Sequence, residues 1–489
     1  MQLAQPVILL ARRCLCDGST AKDLRTGILR PLQIPRRTQN DKFAKRLSLS
    51  SALILTLLCV MPLAHAMGSR PPETPTAIEI SPAQLPPLTL PEAYHLALKR
   101  SEDLALKKAD IDQTWADFLQ ATSEALGDVH FRIEDFRQED VGGGSGEGAT
   151  SSFNRPHSRE DKFVIHQPLF QGFKSLGALT GAGSLRKQRE KTYQRAEQLL
   201  FLDVSGAFYA FLQSQRAFEI TANTIQLLEQ RAGDLSKREK IGRSRISEVI
   251  TVRTRISTLK ADLARLRGNL RREQRVLEFL TGENLEGRRM EIENVLPAAA
   301  GELAEYLTIS GQRPDVEAAR YAVKTANRNI VVAQSQLWPT VSLDHNQYEK
   351  RDGFQSAIDW DLLLTVNVPL FQGGEALSKI KTALVDRKKS SLTLTRTERE
   401  SERDTKQAYD SLSSRLEEYQ ALEAATQEAD ENYRIQKKDY LLALVTNLDV
   451  LEALQNLNQT RLDSNEVYFE LLKDYRRLQV ASGDCCESI

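Results

Sequence analysis

The chain has 489 residues, with 66 basic and 66 acidic side chains, a formal net charge of zero, 41% hydrophobic and 27% charged content. A length of this order would ordinarily make two or three soluble globular domains. The charge balance excludes the basic excess expected of a nucleic-acid partner and the acidic excess of a solvating tail.

At the N-terminus, Arg36, Arg37, Lys42, Lys45 and Arg46 precede an apolar run over 47–63, and Ala64-His65-Ala66 supplies a small-x-small cleavage site. Residues 1–66 therefore read as a secretory signal peptide with an unusually long extension, which an upstream misassigned start codon would explain. The run is short of the ~20 residues that span a bilayer. Residues 67–89 read as a Pro-rich linker. Cys14, Cys16 and Cys59 fall in the segment expected to be removed, and Cys59 follows Leu58 where lipidation wants a small residue. The remaining pair, Cys485 and Cys486, is adjacent and closes no useful loop, so disulfides are not expected to hold the fold.

The first strand signals are Val129-His-Phe-Arg-Ile133 and Phe163 to His166, on either side of the run Gly142-Gly-Gly-Ser-Gly-Glu-Gly148. That run lacks the lysine and following helix of a phosphate cradle and reads as a surface loop that tolerates insertion. Pro168-Leu-Phe-Gln-Gly172 then marks a strand-to-helix turn. Beyond it, apolar residues at Val204, Ala207, Phe211, Phe218, Ile225, Leu228, Ala232 and Leu235 predict an ascending helix. From Pro168 to a tip at Gly242 the chain would rise roughly 110 Å at ~1.5 Å per residue. The returning helix shows Val249, Val252, Ile256, Leu259, Leu263, Leu266, Leu270, Leu277 and Leu280 at 3.5-residue spacing, which is a coiled-coil seam.

The same elements then recur. Val341 to His345 predicts a third strand. Ile358, Trp360, Leu362, Leu364, Val366 and Val368 alternate with Asp359, Asp361, Leu363, Thr365 and Asn367, as in a membrane-barrel strand. Pro369-Leu-Phe-Gln-Gly373 repeats the turn at an offset of 201 residues, Gly242 meets Ala443, and Thr281-Gly282 meets Ser482-Gly483. Upstream, Asp103-Leu104 matches Asp315-Val316 and Leu126-Gly-Asp-Val129 matches Trp338-Pro-Thr-Val341, at 212. The two offsets differ by 212 − 201 = 11 residues, absorbed in the interval that holds the glycine-rich loop. Residues 90–300 and 301–483 thus form two structural repeats, followed by a tail over 484–489. Four strands cannot close a barrel, and open edges are forbidden in lipid, so several copies must combine.

Strand, Pro-Leu-Phe-Gln-Gly, long helix, tip and returning helix, twice over behind a signal peptide, closely resemble the TolC-like outer membrane efflux family. Leu88-Thr-Leu-Pro-Glu-Ala93 and Thr446-Asn-Leu-Asp-Val450 are further family-like pieces. The resemblance implies an α+β membrane protein: a homotrimer whose twelve pooled strands make one β-barrel in the outer membrane and whose coiled-coil helices make an α-helical barrel through the periplasm. Its partners would be outer-membrane lipid, a periplasmic adaptor (membrane fusion) protein and an inner-membrane transporter. It further implies that acidic residues at the Asp449 and Glu452 positions ring the periplasmic entrance, and that Tyr440 helps close it against the residue matching Glu248. The arginine partner of that network is absent, because Val445 stands in its place. The tips, where Gly242, Arg243 and Arg245 face an apolar Ala443-Leu444 pair, would contact the adaptor.

From the residues themselves, Asp449 and Glu452 at i, i+3 share a helix face, and the alternative reading is that they are ordinary first-turn acids favoured by the helix dipole. The six histidines, His65, His95, His130, His157, His166 and His345, show no metal-ligand spacing or nucleophile context. No catalytic constellation is legible, so no enzymatic activity and no cofactor are expected. The competing expectation is a periplasmic coiled-coil adaptor outside the membrane. Adaptors typically carry one hairpin, and this chain predicts two together with a strand whose face suits lipid.

Overall fold

A computed structural model describes residues 86–139, 157–292, 301–352 and 355–485. The signal segment, most of the linker, the loop from Gly142 to Gly148 and Cys486 lie outside the described residues. In chain order the elements are α1 (Leu90–Arg100), α2 (Glu102–Leu126), β1 (Asp128–Arg137), β2 (His157–Gln171), α3 (Lys174–Lys240), α4 (Ile246–Thr281), α5 (Leu303–Ser310), α6 (Pro314–Gln334), β3 (Thr340–Arg351), β4 (Trp360–Asn367), α7 (Glu375–Leu441) and α8 (Asn447–Ser482).

The duplication is visible in the helix lengths. The ascending helices α3 and α7 have 67 residues each and the returning helices α4 and α8 have 36 each. At ~1.5 Å per residue the longer pair runs ~100 Å. The predicted seam is the buried one: Ile225, Leu228 and Leu235 of α3 meet Val249, Val252, Ile256 and Leu259 of α4, joined by Leu454 of α8. Nearer the sheet a second core gathers Tyr94 of α1, Phe201 and Phe208 of α3, Leu277 of α4, and Phe469 and Leu472 of α8. Each returning helix ends on a glycine in the left-handed region, Gly282 (φ +72) and Gly483 (φ +89), beneath an arginine, Arg100 and Arg313 respectively. A side chain at either glycine would adopt a strained backbone, and at Gly282 its Cβ would sit 2.7 Å from Arg100 Cγ.

The second of these joints is a buried ionic knot. Arg313 is 3% exposed and forks onto Asp315 through Nε and Nη2 at 2.7 and 2.8 Å, while its Nη1 donates to Asp404 and to the Ala481 carbonyl at 3.4 Å each. Arg195 donates to the Val480 carbonyl at 2.9 Å, and Thr405 Oγ1 to that of Ala481 at 2.9 Å. These donors satisfy carbonyls that the end of α8 leaves without helical partners, and they tie α8 to α3, α6 and α7. Burial, then the neighbouring Arg313 charge, lowers the proton affinity of Arg195 below the ordinary arginine range. Close by, Cys485 packs on the core around Phe469 and is disulfide-bonded. The sequence expectation gave disulfides no part in the fold, and every other cysteine lies outside the described residues.

Above the helices lies one four-stranded antiparallel sheet in the order β1-β2-β3-β4. Each half contributes a hairpin, as the strand patterns predict, and β2–β3 joins the halves. Pro168 is expected within the strand-to-helix turn. It lies inside β2 opposite Ser342, and a register shift between Pro168 and Phe170 lets the strand continue to Gln171. A bulge of this kind absorbs the missing proline N–H. The turn itself falls at Gly172 and Phe173, with φ of +61 and +68. In the second half β4 stops at Asn367, before Pro369, and Gly373 and Gly374 make the left-handed turn. Among the described residues no helix is long and apolar enough to cross a membrane.

Candidate functional site: the sheet face and the helical tips

Directly paired residues in an antiparallel sheet share a face. The register therefore places Val129, Phe131 and Ile133 of β1, Phe163 and Ile165 of β2, Val341 and Leu343 of β3, and Leu362, Leu364 and Val366 of β4 together on one side. Phe131 and Phe163 touch with ring centroids 4.8 Å apart, yet Phe131 remains 48% exposed and Leu364 58% exposed. An exposed apolar patch spanning four strands is unusual for a surface in water.

The opposite side is a bonded polar network. Tyr348 Oη and Asn346 Nδ2 donate to the two oxygens of Asp361 at 2.8 and 2.7 Å. Lys162 Nζ donates to Glu134 and Glu160 at 3.2 and 3.0 Å, and Arg351 Nε to Glu160 at 3.0 Å. His166 Nδ1 lies 2.6 Å from Asp344 Oδ1. The expected two-sidedness of one strand is a property of the whole sheet, greasy on one face and hydrated on the other. Both edge strands, β1 and β4, lack a second neighbour among the described residues.

At the far end of the helices the two tips have the same backbone. Gly242 and Ala443 both take left-handed φ, +73 and +60. Arg243 N donates to the Arg238 carbonyl at 2.8 Å and Leu444 N to that of Asp439 at 3.0 Å. A non-glycine residue there costs of order 1 kcal/mol. The side chains differ as predicted: Arg243 and Arg245 are exposed on one tip, while the other presents Leu441, Leu442 and Leu444, 62–70% exposed.

The expected gate residues separate into two groups. Asp449 is a helix-capping residue, since its Oδ2 accepts from Thr446 N and Thr446 Oγ1, both at 2.7 Å. The hydroxyl bond and then the backbone bond hold its carboxyl below the ordinary aspartate range. Glu452 lies three residues on and is exposed. Glu248 accepts from Ser244 Oγ within its own hairpin at 2.5 Å. Tyr440 makes no hydrogen bond to Glu248. Its ring instead lies under two guanidinium groups of α3, with Arg231 4.0 Å and Arg238 5.3 Å from the centroid. Arg231 also donates to Oδ1 of the buried Asn447, from Nε at 3.1 Å and Nη2 at 2.9 Å. Burial lowers the proton affinity of Arg231, opposed by the oxygens of Tyr440, Tyr433 and Glu248.

Comparison with known proteins bears directly on this arrangement. The family model described as outer membrane efflux protein matches residues 93–283 and 308–484, one segment in each repeat. The chain belongs to the outer membrane efflux protein family. The probable efflux pump outer membrane protein TtgC of Pseudomonas putida is 22% identical over 294 residues, covering 56% of this chain and 60% of the relative. The alkaline protease secretion protein AprF of Pseudomonas aeruginosa is 20% identical over 331 residues, covering 65% and 68%. The crystal structure of the outer membrane protein VceC of Vibrio cholerae superposes with a TM-score of 0.69 at 18% identity, covering 81% of this chain and 96% of that one. The alignment to TtgC thus spans about three-fifths of that relative's length, and the likeness to VceC is one of fold.

For this family member, sequence reasoning located the two tip turns and the first-turn acid Asp449 and missed Arg231 and Asn447. Their signal is long range, because Arg231 and Tyr440 sit on different hairpins. Val445 does stand where an arginine was sought. In this chain the guanidinium that meets Tyr440 comes from the first hairpin.

Proposed function

We propose that the chain is the outer-membrane channel of a tripartite efflux or type I secretion system, passively conducting substrates delivered by an inner-membrane transporter through a periplasmic adaptor. The observation that carries this reading is the sheet, apolar and exposed on one face, charged and bonded on the other, open at both edges and standing on ~100 Å helices. Lipid accounts for the first face, an aqueous lumen for the second, and two further copies for the edges, giving a trimer of twelve strands. Residues 1–66 serve as the export signal, repeats 90–300 and 301–483 supply matching sectors of the wall, and the tips at Gly242–Arg245 and Ala443–Leu444 dock the adaptor. The relatives named for efflux pumping and for protease secretion support a conduit and leave the cargo class to the partners.

At the narrow periplasmic mouth, Asp449 and Glu452 from three chains gather like charge. A constriction of this kind concentrates cations and repels anions, an effect that salt screens. In planar bilayers the detergent-purified trimer should conduct and prefer cations, and Asp449→Asn with Glu452→Gln should reduce that preference. Because Asp449 has a lowered folded pKa, its charge and its capping contribution hold above the ordinary aspartate value of ~3.9 and are lost as pH falls through the lowered value. A folded monomer that stays soluble without detergent would overturn the channel in favour of the adaptor. Unchanged selectivity of the double amide at low salt would leave these acids as helix-start residues alone.

A further inference from the structure

Next to the tips, α3 and α7 of one chain enclose a cleft of about 300 Å³. On α3, Arg231, Leu235 and Arg238 stand at i, i+4 and i+7, and on α7 Tyr433, Lys437 and Tyr440 do the same, so each set makes a stripe along one helix face. Leu235, 1% exposed, is the buried apolar member between the two arginines. Both stripes belong to one polypeptide, so the cleft is complete without a second copy.

The charge of this cleft is out of balance. Arg231, Lys237, Arg238 and Lys437 line it, and Asp234 is the single carboxylate among the described lining residues. Asp234 lies 4.0 Å from Lys237, and both are largely exposed. Arg231, Arg238 and Lys437 form no ion pair among the described residues. Cations farther along the same bundle do find acids: Lys260 meets Glu229 and Arg461 meets Asp430, each at 2.7 Å. Arg231 gives Nε and Nη2 to Asn447, which leaves Nη1 unused, and the hydroxyls of Tyr433 and Tyr440 have no hydrogen-bond partner among the described residues. Burial, and more weakly the charge of Arg238, depress the proton affinity of Arg231. Like charges drawn together in a partly dry cleft are costly until an opposite charge joins them.

We infer that the cleft binds a small multivalent oxyanion of the phosphate class, held by Arg231, Arg238 and Lys437. A guanidinium fork matches the oxygens of such an ion, and charge-assisted bonds of this kind are the strong ones. A monovalent ion would leave two of the three cations unbalanced. The two tyrosine hydroxyls stand on the same stripe as Lys437 and supply neutral donors. An anion so placed ties α7 to α3 and screens Arg231 from Arg238, and it therefore favours the arrangement in which Arg231 stacks on Tyr440. That effect on closure rests on the channel reading above, whereas the binding does not.

Pyrophosphate is the probe. Titration calorimetry on the detergent-purified full chain, at constant ionic strength in chloride, should show saturable binding at one site per chain. Arg238→Gln and Lys437→Gln should each weaken it at least about tenfold, the effect of losing one charge-assisted bond, with circular dichroism verifying the fold. Lys388→Gln removes an exposed charge from the same helix 437 − 388 = 49 residues away, or ~75 Å. At that distance salt screens the charge, so this variant should stay within about twofold of the parent. No binding by the parent overturns the site, and it is also the result expected of a cleft reserved for an acidic side chain of a partner protein. Equal weakening by Lys388→Gln and Lys437→Gln overturns it too, because the attraction is then general. In planar bilayers, pyrophosphate on the periplasmic side should lower the open fraction of the parent and leave that of Lys437→Gln unchanged. An unchanged open fraction in a parent that binds the anion overturns the link to closure. A chain that binds it yet forms no conducting pore removes the channel reading and leaves the site standing.

Discussion

Arg231→Leu should open the periplasmic mouth, seen as a rise in single-channel conductance and a larger open fraction in planar bilayers. The Arg231 guanidinium stacks on Tyr440 at the end of α7 and donates twice to Asn447 at the start of α8, so one side chain of the first hairpin holds both sides of the second tip. A half-buried cation–π contact is worth about 1–2 kcal/mol, which corresponds to roughly a five- to thirtyfold change in the closed-to-open balance per chain. Arg231→Lys keeps the charge and loses the planar stack and the fork, so it should fall between wild type and leucine. Tyr440→Phe, which keeps the ring, should stay near wild type, and Tyr440→Leu should resemble Arg231→Leu. A closure that depended on the Tyr440 hydroxyl would show the reverse order, with phenylalanine as open as leucine. That order, or an unchanged conductance in Arg231→Leu, would remove the clamp.

Arg313→Ala should destabilise the chain by about 3 kcal/mol, the low end of what a broken buried ion pair costs. The arginine is buried while Asp315 and Asp404 keep about 30% of their side-chain surface, so water partly compensates the carboxylates left behind. The Ala481 carbonyl retains Thr405 as a donor, which limits the loss further. Urea unfolding in detergent, followed by circular dichroism, measures the change, and Arg313→Lys should lose less because it keeps the charge without the two-pronged bond to Asp315. A loss below about 1 kcal/mol would mean that the joint is hydrated like a surface pair.

Local periodicity carried most of the fold into the sequence. The step of three and four along Val249 to Leu259 states which side of α4 is buried whatever packs there, and the alternation from Trp360 to Val366 does the same for β4. Lengths were legible because the duplicated Pro-Leu-Phe-Gln-Gly and the two tips supply fixed points along the chain. Pro168 was misplaced because a proline limits a strand only where its absent N–H is needed, and the bulge beside Phe170 depends on β3, a partner far along the chain. Arg231, Asn447 and Arg313 carry no local pattern. An arginine on a charged helix looks like any solvated one until its partners on another hairpin are known, and Arg313 before Pro314 reads only as a residue preceding a helix. Asp449 shows the opposite problem: its capping role was written in Thr446-Asn-Leu-Asp449, and the local motif is silent on what its outer oxygen meets in an assembled mouth.

The helical hairpins of 67 and 36 residues, present twice in one polypeptide, also bear on how such a channel is put together. In the trimer proposed above, a ring of six equivalent sectors would have six joints, and the peptide chain would make every second joint intramolecular. Linked segments meet at effective concentrations in the millimolar range, so those three joints form without waiting for encounter. Assembly of the ring then depends on the third power of chain concentration, where six separate sectors would bring the sixth. Fewer separate encounters also leave fewer open strand edges waiting for other partners. Covalent linkage also frees the two sectors to diverge, so one tip can carry arginines and its neighbour leucines in strict alternation around the mouth.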